Sequence, residues 1–298
     1  MTAESVTIAR LLSSATAALR SAGIATARQD AEILTARALG TTRLALSLEP
    51  RLTVDSTRGD ALRTLVERRA RQEPLQYLLG EAEFAGLTLG VGPGAFVPRP
   101  ETEMLVEQAL AALAGGPRAP SAAGSPVALD LGTGSGAVAC ALATRRGDLV
   151  VWAVEREPTA AAWARANVAR LGLDARVTVL EGDLFAPLRG RGLAGRCDVV
   201  AANPPYLAES VLATLPAEVR DWEPRVALDG GPDGTAVVGR LLEEAPDWLR
   251  PGGTLVVEIG EDQGAWVRAR IAGDPRYETG IVHRDFRGCE RSLEARRA

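Results

Sequence analysis

Two segments of this 298-residue chain carry residue types at spacings that could do chemistry. The first is Asp130-Leu131-Gly132-Thr133-Gly134-Ser135-Gly136, set between an apolar run and a stretch of helical spacing. Glycines there let a chain turn tightly and let a ligand approach the backbone, and the helix behind them offers unpaired N–H groups. Ala137 completes a G-x-G-x-x-A spacing, so a dinucleotide stays open on the turn alone. Glu155 follows at the end of the next apolar run, where an acid can accept both hydroxyls of a ribose. Asp130, immediately before the turn, would oppose a pyrophosphate but could help hold an ammonium group. Asp183, after the third apolar run, could meet the exocyclic amine of an adenine. Together these acids tilt the expectation toward S-adenosylmethionine.

The second segment is Asn203-Pro204-Pro205-Tyr206, which closes the apolar run from Asp198. Prolines lack an N–H and fix the backbone, so their carbonyls face outward without local competition. Asn203 adds a side-chain carbonyl, and Tyr206 can stack on a plane. Such a pocket suits an –NH2 group on a planar carbon, an amide or an aromatic amine. Acceptors on both N–H bonds would localise the nitrogen lone pair toward an incoming methyl group, so positioning and electrostatics would carry the catalysis.

These residues need elements to hold them. Strands are expected at 127–131, 149–154, 176–180, 198–201 and 254–259, with helices at 137–145, 158–171 and 235–249 between them. Alternation of this kind predicts a parallel sheet covered on both faces, with ligands at the carboxyl ends of its strands. The first 75 residues read as helices, one opened by a capping-box pattern at Thr26–Gln29 and stopped by Gly40. Residues 84–97 suggest a hairpin or extended linker, and a helix is expected at 101–114. The stretch from Gly115 to Pro126 is low in complexity and reads as a loop.

Composition narrows the chemistry. Hydrophobic residues at 46% and charged residues at 24% are ordinary for a globular chain. His283 is the only histidine, which removes multi-histidine metal centres, and Cys140, Cys197 and Cys289 are scattered; no metal site is expected. No apolar run nears the roughly 20 residues of a membrane span. The first ten residues lack the pattern of a secretory signal, so a cytoplasmic protein away from membranes is expected. Residues 1–80 hold 11 Arg against 8 acids, while the remainder holds 23 against 30. A net charge of −4 is a poor match for stable nucleic-acid binding. The group Arg63, Arg68, Arg69 and Arg71 reads as a solvated helical face, or alternatively as a docking surface.

The whole chain resembles the HemK/PrmC family, the N5-glutamine methyltransferases that modify the Gly-Gly-Gln motif of peptide-chain release factors. The likeness rests on Glu73–Tyr77, Val97-Pro-Arg-Pro-Glu-Thr-Glu103, the Asp130–Gly136 turn and Asn203–Tyr206. It extends through Trp222–Pro224, Ala227–Gly231, Glu258–Gly260 with Gln263, and Asp285–Arg291. It implies an α/β fold: a Rossmann-like, seven-stranded S-adenosylmethionine-dependent methyltransferase domain preceded by a small helical-bundle domain. The implied division is a substrate-docking domain at 1–80, a hairpin linker at 81–100 and the methyltransferase domain at 101–298. Asp130, Gly132, Thr133, Gly134, Ser135, Gly136, Glu155, Asp183, Leu184 and Asn203 would contact the cofactor. Asn203, Pro204, Pro205 and Tyr206 would hold the glutamine carboxamide, with Phe96, Arg99 and Glu101 near it. Glu155 stands where many members have Asp. A release factor is the implied partner, and a monomer is expected. An adenine-N6 methyltransferase on DNA or RNA, and a glutamine methyltransferase acting on a ribosomal protein, are the alternatives. A dinucleotide oxidoreductase would leave Asn203–Tyr206 unexplained.

Overall fold

A computed structural model describes residues 6–115 and 124–298. Most of the low-complexity stretch Gly115–Pro126 lies outside the described residues. The chain opens with β1 (Val6–Thr7), α1 (Ile8–Ser21), α2 (Ala27–Leu39), α3 (Arg43–Leu48), β2 (Thr53–Val54), α4 (Ser56–Ala70) and α5 (Leu75–Leu79). It continues with β3 (Glu81–Phe84), β4 (Leu87–Gly90), α6 (Glu103–Gly115), β5 (Val127–Leu131), α7 (Ala137–Arg145) and β6 (Val150–Glu155). Then come α8 (Pro158–Arg170), β7 (Val177–Glu181), β8 (Cys197–Ala202), α9 (Glu209–Leu212) and α10 (Ala217–Arg220). The last elements are α11 (Ala236–Trp248), β9 (Leu249–Glu258), α12 (Gly264–Ala272), β10 (Tyr277–Arg284) and β11 (Glu290–Arg297). Two compact units emerge: Met1–Glu81 with Pro216–Trp222, and Ala82–Leu215 with Glu223–Ala298. Among the described residues no helix is long and apolar enough to cross a membrane.

The first unit packs α1, α2 and α4 around Leu19, Leu34, Leu62 and Val66. Thr7 caps α1 by accepting the Arg10 N–H, and Gly40, in the left-handed region at φ 64°, ends α2. The capping box expected at Thr26 does not form. Thr26 starts α2 with φ −94° and ψ 24°, away from the extended geometry that aims a capping hydroxyl at the helix. The arginine group is not one surface. Arg63 pairs with Asp60 and Arg68 with Glu73, whereas Arg69 is buried among Asp30 at 2.7 Å, Glu218 at 2.7 Å and the Glu73 carbonyl at 3.1 Å. A buried guanidinium is tolerated there because its N–H groups have acceptors.

The second unit is built on a seven-stranded sheet in the order β10-β11-β9-β8-β5-β6-β7. Strands β9, β8, β5, β6 and β7 run parallel, and β11 and β10 add to the β9 edge antiparallel. The β10–β11 pair was not among the expected strands. Alternate residues feed two cores: Leu129, Leu131, Val200 and Ala202 join α11 and α12 residues, while Ala128, Val199 and Ala201 join α6, α7 and α8 residues. That split is the two-residue period of strands whose faces are both covered. Strand order reverses at β5, which lies between β6 and β8, so the crevice beyond its carboxyl end is where a ligand belongs.

A hairpin lies at residues 81–90, earlier than the expected 84–97, and its two-residue turn Ala85-Gly86 has positive φ at both positions, 50° and 78°. Its Phe84 and Leu89 are buried in the core with α7 and α8, so the hairpin body is part of the second unit. Asn167 of α8 fastens it to the glycine turn. Its Oδ1 accepts the Gly90 N–H at 2.6 Å, and its Nδ2 donates to the Gly90 carbonyl at 2.9 Å and the Ser135 carbonyl at 2.8 Å. Asn167 is 1% exposed, so no water can replace these bonds. Replacing it by leucine leaves three buried backbone groups unpaired. Asn167→Leu is expected to lower unfolding free energy by on the order of 3 kcal/mol in a urea titration, whereas a change within measurement error would mean the hairpin holds itself.

Candidate active site

The turn after β5 is set by backbone bonds before any ligand arrives. The N–H groups of Gly132 and Thr133 both donate to the Val154 carbonyl of β6, at 2.9 and 3.0 Å. Gly132 has φ 71°, and a Cβ built there would meet only the Asn203 carbonyl oxygen, 4.0 Å away. The glycine turn and the Asn203 segment are therefore neighbours across one crevice. Gly136 is required for another reason. Its φ is 82°, and a Cβ would lie 3.2 Å from the backbone of Ala164, where α8 crosses the start of α7.

Two buried acids brace the turn. Asp130 Oδ2 accepts the Thr133 hydroxyl at 2.5 Å and the Ala139 N–H at 2.9 Å. Burial pushes its carboxyl up to about 6, against the pull of those two bonds. Glu155 accepts the Gly134 N–H at 2.8 Å through one oxygen and the Glu157 N–H at 2.9 Å through the other. Burial also raises its carboxyl above the usual range. Two acids this close, lining one cavity, favour a cationic ligand and oppose an anionic one.

One cavity of the second unit brings most of the expected residues together. Asp130, Gly132, Thr133, Gly134, Ser135, Glu155, Asp183 and Leu184 line it, and so do Asn203, Pro204, Pro205, Tyr206 and Phe96. Gly136 stands behind the lining at the helix start. Asp183 does not face the cavity alone, since Arg240 of α11 donates to it at 2.8 Å and also lines the cavity. Arg99 and Glu101 are not lining residues. The Arg99 guanidinium stacks 4.7 Å above the Phe96 ring and pairs with Glu223, a buried carboxylate that also accepts the Val97 N–H. It holds Phe96 against the cavity.

At the opposite wall, Asn203 Nδ2 donates to the Thr102 hydroxyl at 3.0 Å, and Thr102 donates to Glu258 Oε2 at 2.7 Å. Tyr206 donates its hydroxyl to Glu258 Oε1 at 3.0 Å. Glu258, at the end of β9, is 3% exposed, and burial pushes its carboxyl up against the pull of these two bonds. The Tyr206 hydroxyl is pushed well above its ordinary range by burial and by the Glu258 charge, so it stays protonated and is no base. Gln263 pins the other end of Tyr206, donating to its carbonyl at 3.1 Å and to the Gly234 carbonyl at 2.9 Å. Sequence reasoning assigned no role to Thr102, Glu223, Arg240, Glu258 or Gln263. All but Arg240 lie in segments that carried the resemblance, yet their partners are distant in the chain.

His283 sits on the edge strand β10, 3.0 Å from Glu294 of β11. Cys140 and Cys197 are buried thiols pushed up to about 12, chiefly by desolvation.

Comparison with known proteins places this architecture. A family profile described as the PrmC N-terminal domain matches residues 10–80, and the methyltransferase small domain matches residues 120–217. The chain is 42% identical over 261 residues to the release factor glutamine methyltransferase of Geobacter sulfurreducens, covering 88% of this chain and 87% of that one. It is 40% identical over 292 residues to the protein of the same name from Moorella thermoacetica, covering 98% and 99%. In fold it is similar to the human methyltransferase 10 domain containing protein, with a TM-score of 0.52 at 18% identity, over 70% of this chain and 88% of that one. With likeness running through both units and nearly from end to end, the chain belongs to the family of release factor glutamine methyltransferases.

Proposed function

We propose that this protein transfers a methyl group from S-adenosylmethionine to the side-chain amide nitrogen, N5, of the glutamine in the Gly-Gly-Gln motif of peptide-chain release factors. In this reading it works as a cytoplasmic monomer, without stable binding to nucleic acid. The observation that carries it is the single cavity lined by both the glycine turn and Asn203–Tyr206, within a chain of this family.

S-adenosylmethionine suits the residues present. The space beside Gly132 and Gly134 is open where side chains would otherwise stand, and two acids flank it. When bound, it supplies an electrophilic methyl group on a sulfonium. Glu155 would accept its ribose hydroxyls, Asp130 would stabilise its ammonium end, and Asp183 and Leu184 would border its adenine. Thr133, Ser135 and Gly136 shape the turn that receives it. Asn203 Oδ1 and the carbonyls of Pro204 and Pro205 would accept the N–H bonds of the glutamine carboxamide. Tyr206 would stack on its plane, and Phe96, steadied by Arg99, would close the cavity beside it. Glu101 contributes negative charge near Glu258. The alkylated nitrogen becomes acidic and sheds its proton to water, so the lone histidine, remote on β10, is not needed.

Incubation with labelled S-adenosylmethionine, a release factor, its Gln→Ala variant and DNA tests the reading directly. Label is expected on the release factor alone. Label on DNA, or undiminished label on the Gln→Ala factor, would overturn it. Asn203→Ala is expected to reduce kcat by roughly 10²–10³-fold while cofactor affinity, measured by calorimetry, falls far less. If turnover survives, the carboxamide pocket is wrongly placed.

Asp130 yields a prediction with a definite sign. Its folded-state carboxyl titrates near 6 against 3.8 in the open chain, so its ionisation opposes folding. The cost is absent below about pH 4, grows up to about pH 6, and stays near 3 kcal/mol above that. Asp130→Asn keeps an acceptor for Thr133 and Ala139. It is expected to raise stability with that pH profile and to weaken cofactor binding. A stability change equal at pH 4 and pH 8 would show that charge burial is not its cause.

A further inference from the structure

The polar wall beneath the acceptor pocket has a direction. A hydroxyl has one hydrogen to give, and a carboxylate has none. The Thr102 hydrogen goes to Glu258 Oε2 at 2.7 Å, so the Thr102 oxygen can meet Asn203 only as an acceptor. Asn203 must therefore turn Nδ2 toward Thr102, which turns Oδ1 the other way. The orientation of an Asn amide is set by such partners and by nothing in its own shape. The Tyr206 hydrogen is committed in the same manner to Glu258 Oε1.

We infer that Thr102 and Glu258 are positioning residues that fix the polarity of the acceptor pocket, holding Asn203 so that it offers a carbonyl and not an amino group, and so selecting a carboxamide over a carboxylate. The inference deepens the function proposed above and rests on it. Glu258 acts from the far side of the wall: it is buried, does not line the cavity, and reaches the pocket only through Thr102 and Tyr206. Arg291 lies close enough for its charge to favour the Glu258 carboxylate, and Asp285 holds the Arg291 guanidinium at 3.3 Å. Arg291 acts on the Tyr206 hydroxyl as well, so it is a cation beside the Glu258–Tyr206 pair, while the path from Glu258 through Thr102 to Asn203 is made of hydrogen bonds.

Removing one link frees the amide to reverse. A reversed Asn203 would present N–H to the substrate, repelling an –NH2 group and attracting a carboxylate. A site built to bond one polar group rejects the other strongly because buried groups are left unpaired. Selectivity should thus move together with turnover, which a merely structural loss would not produce.

The test uses the full chain with a release factor and a second factor in which the target glutamine is replaced by glutamate. Thr102→Val is expected to lower kcat roughly 10²-fold, with KM for S-adenosylmethionine near that of the wild type. It should also bind the glutamate factor more tightly than the wild type does, read as inhibition of methylation of the normal factor. Thr102→Ser, which keeps the hydroxyl, should restore most of the turnover and the original selectivity. Glu258→Gln, of nearly equal volume, cannot accept from both Thr102 and Tyr206 and should behave as Thr102→Val does. Thermal unfolding with bound cofactor checks that each variant is folded. Wild-type kcat in Thr102→Val, a serine variant as poor as the valine one, or a loss of turnover with unchanged rejection of the glutamate factor would overturn the proposal. A wild-type enzyme inactive on the release factor would instead remove the function on which the relay rests, and the relay with it.

Discussion

A carboxylate taken out of water needs donors, and the carboxyl edge of this sheet is organised around that need. Asp130, Glu155 and Glu258 each stand at or near the end of a parallel strand, each nearly inaccessible to solvent. Their donors come from several segments at that edge: Thr133 and Ala139 for the first, Gly134 and Glu157 for the second, Thr102 and Tyr206 for the third. Loops that would otherwise be free to wander are thus tied to the rigid sheet. The crevice between them keeps its shape because the acids would be left unpaired if it opened. The raised carboxyls of all three acids are the cost of the arrangement.

Four of the five parallel strands were legible in the sequence for a simple reason, while β9 begins at Leu249, ahead of the expected start at 254. β5, β6, β7 and β8 are short apolar runs bounded by glycine, proline and acids, and the observed bounds differ from the expected ones by at most a residue. The β10–β11 pair was not legible. Glu290–Arg297 reads Glu-Arg-Ser-Leu-Glu-Ala-Arg-Arg, a composition that favours a helix. It becomes a strand because the open edge of β9 on one side and β10 on the other supply its hydrogen bonds, and only Ser292, Leu293 and Ala295 are buried. Local preference lost to pairing partners that no window of sequence displays. The capping box at Thr26 failed in the opposite way, since the right residue types occurred while the backbone entered the helix at the wrong angle.

The site divides along the same line. The glycine turn and the Asn-Pro-Pro-Tyr segment are contiguous, so their chemistry can be read from adjacent residues. The relay is not contiguous: Thr102 and Glu258 are separated by 156 positions, and Asn203 and Thr102 by 101. A threonine in Pro-Glu-Thr-Glu and a glutamate in Val-Glu-Ile-Gly carry no local sign of one another. Arg99 depends on distant partners in the same way. The resemblance puts it near the pocket, and its contacts put it against Phe96, which lines the cavity, and against Glu223.

The single histidine of this chain gains a physical reason from this arrangement. Proton transfer by a side chain asks for a group free to take or give a proton, and the groups around Asn203 are committed to one another. Tyr206 is kept protonated, Thr102 does not titrate, and the Glu258 oxygens are both engaged. In the proposed reaction such a pocket would act by what it accepts: it would hold two N–H bonds and leave the nitrogen lone pair pointing where the acceptors are not. Orientation then matters more than basicity, and orientation in a planar amide reduces to which end faces which partner. A chain with one histidine, and with its carboxylates used as anchors, therefore lacks nothing that this chemistry requires.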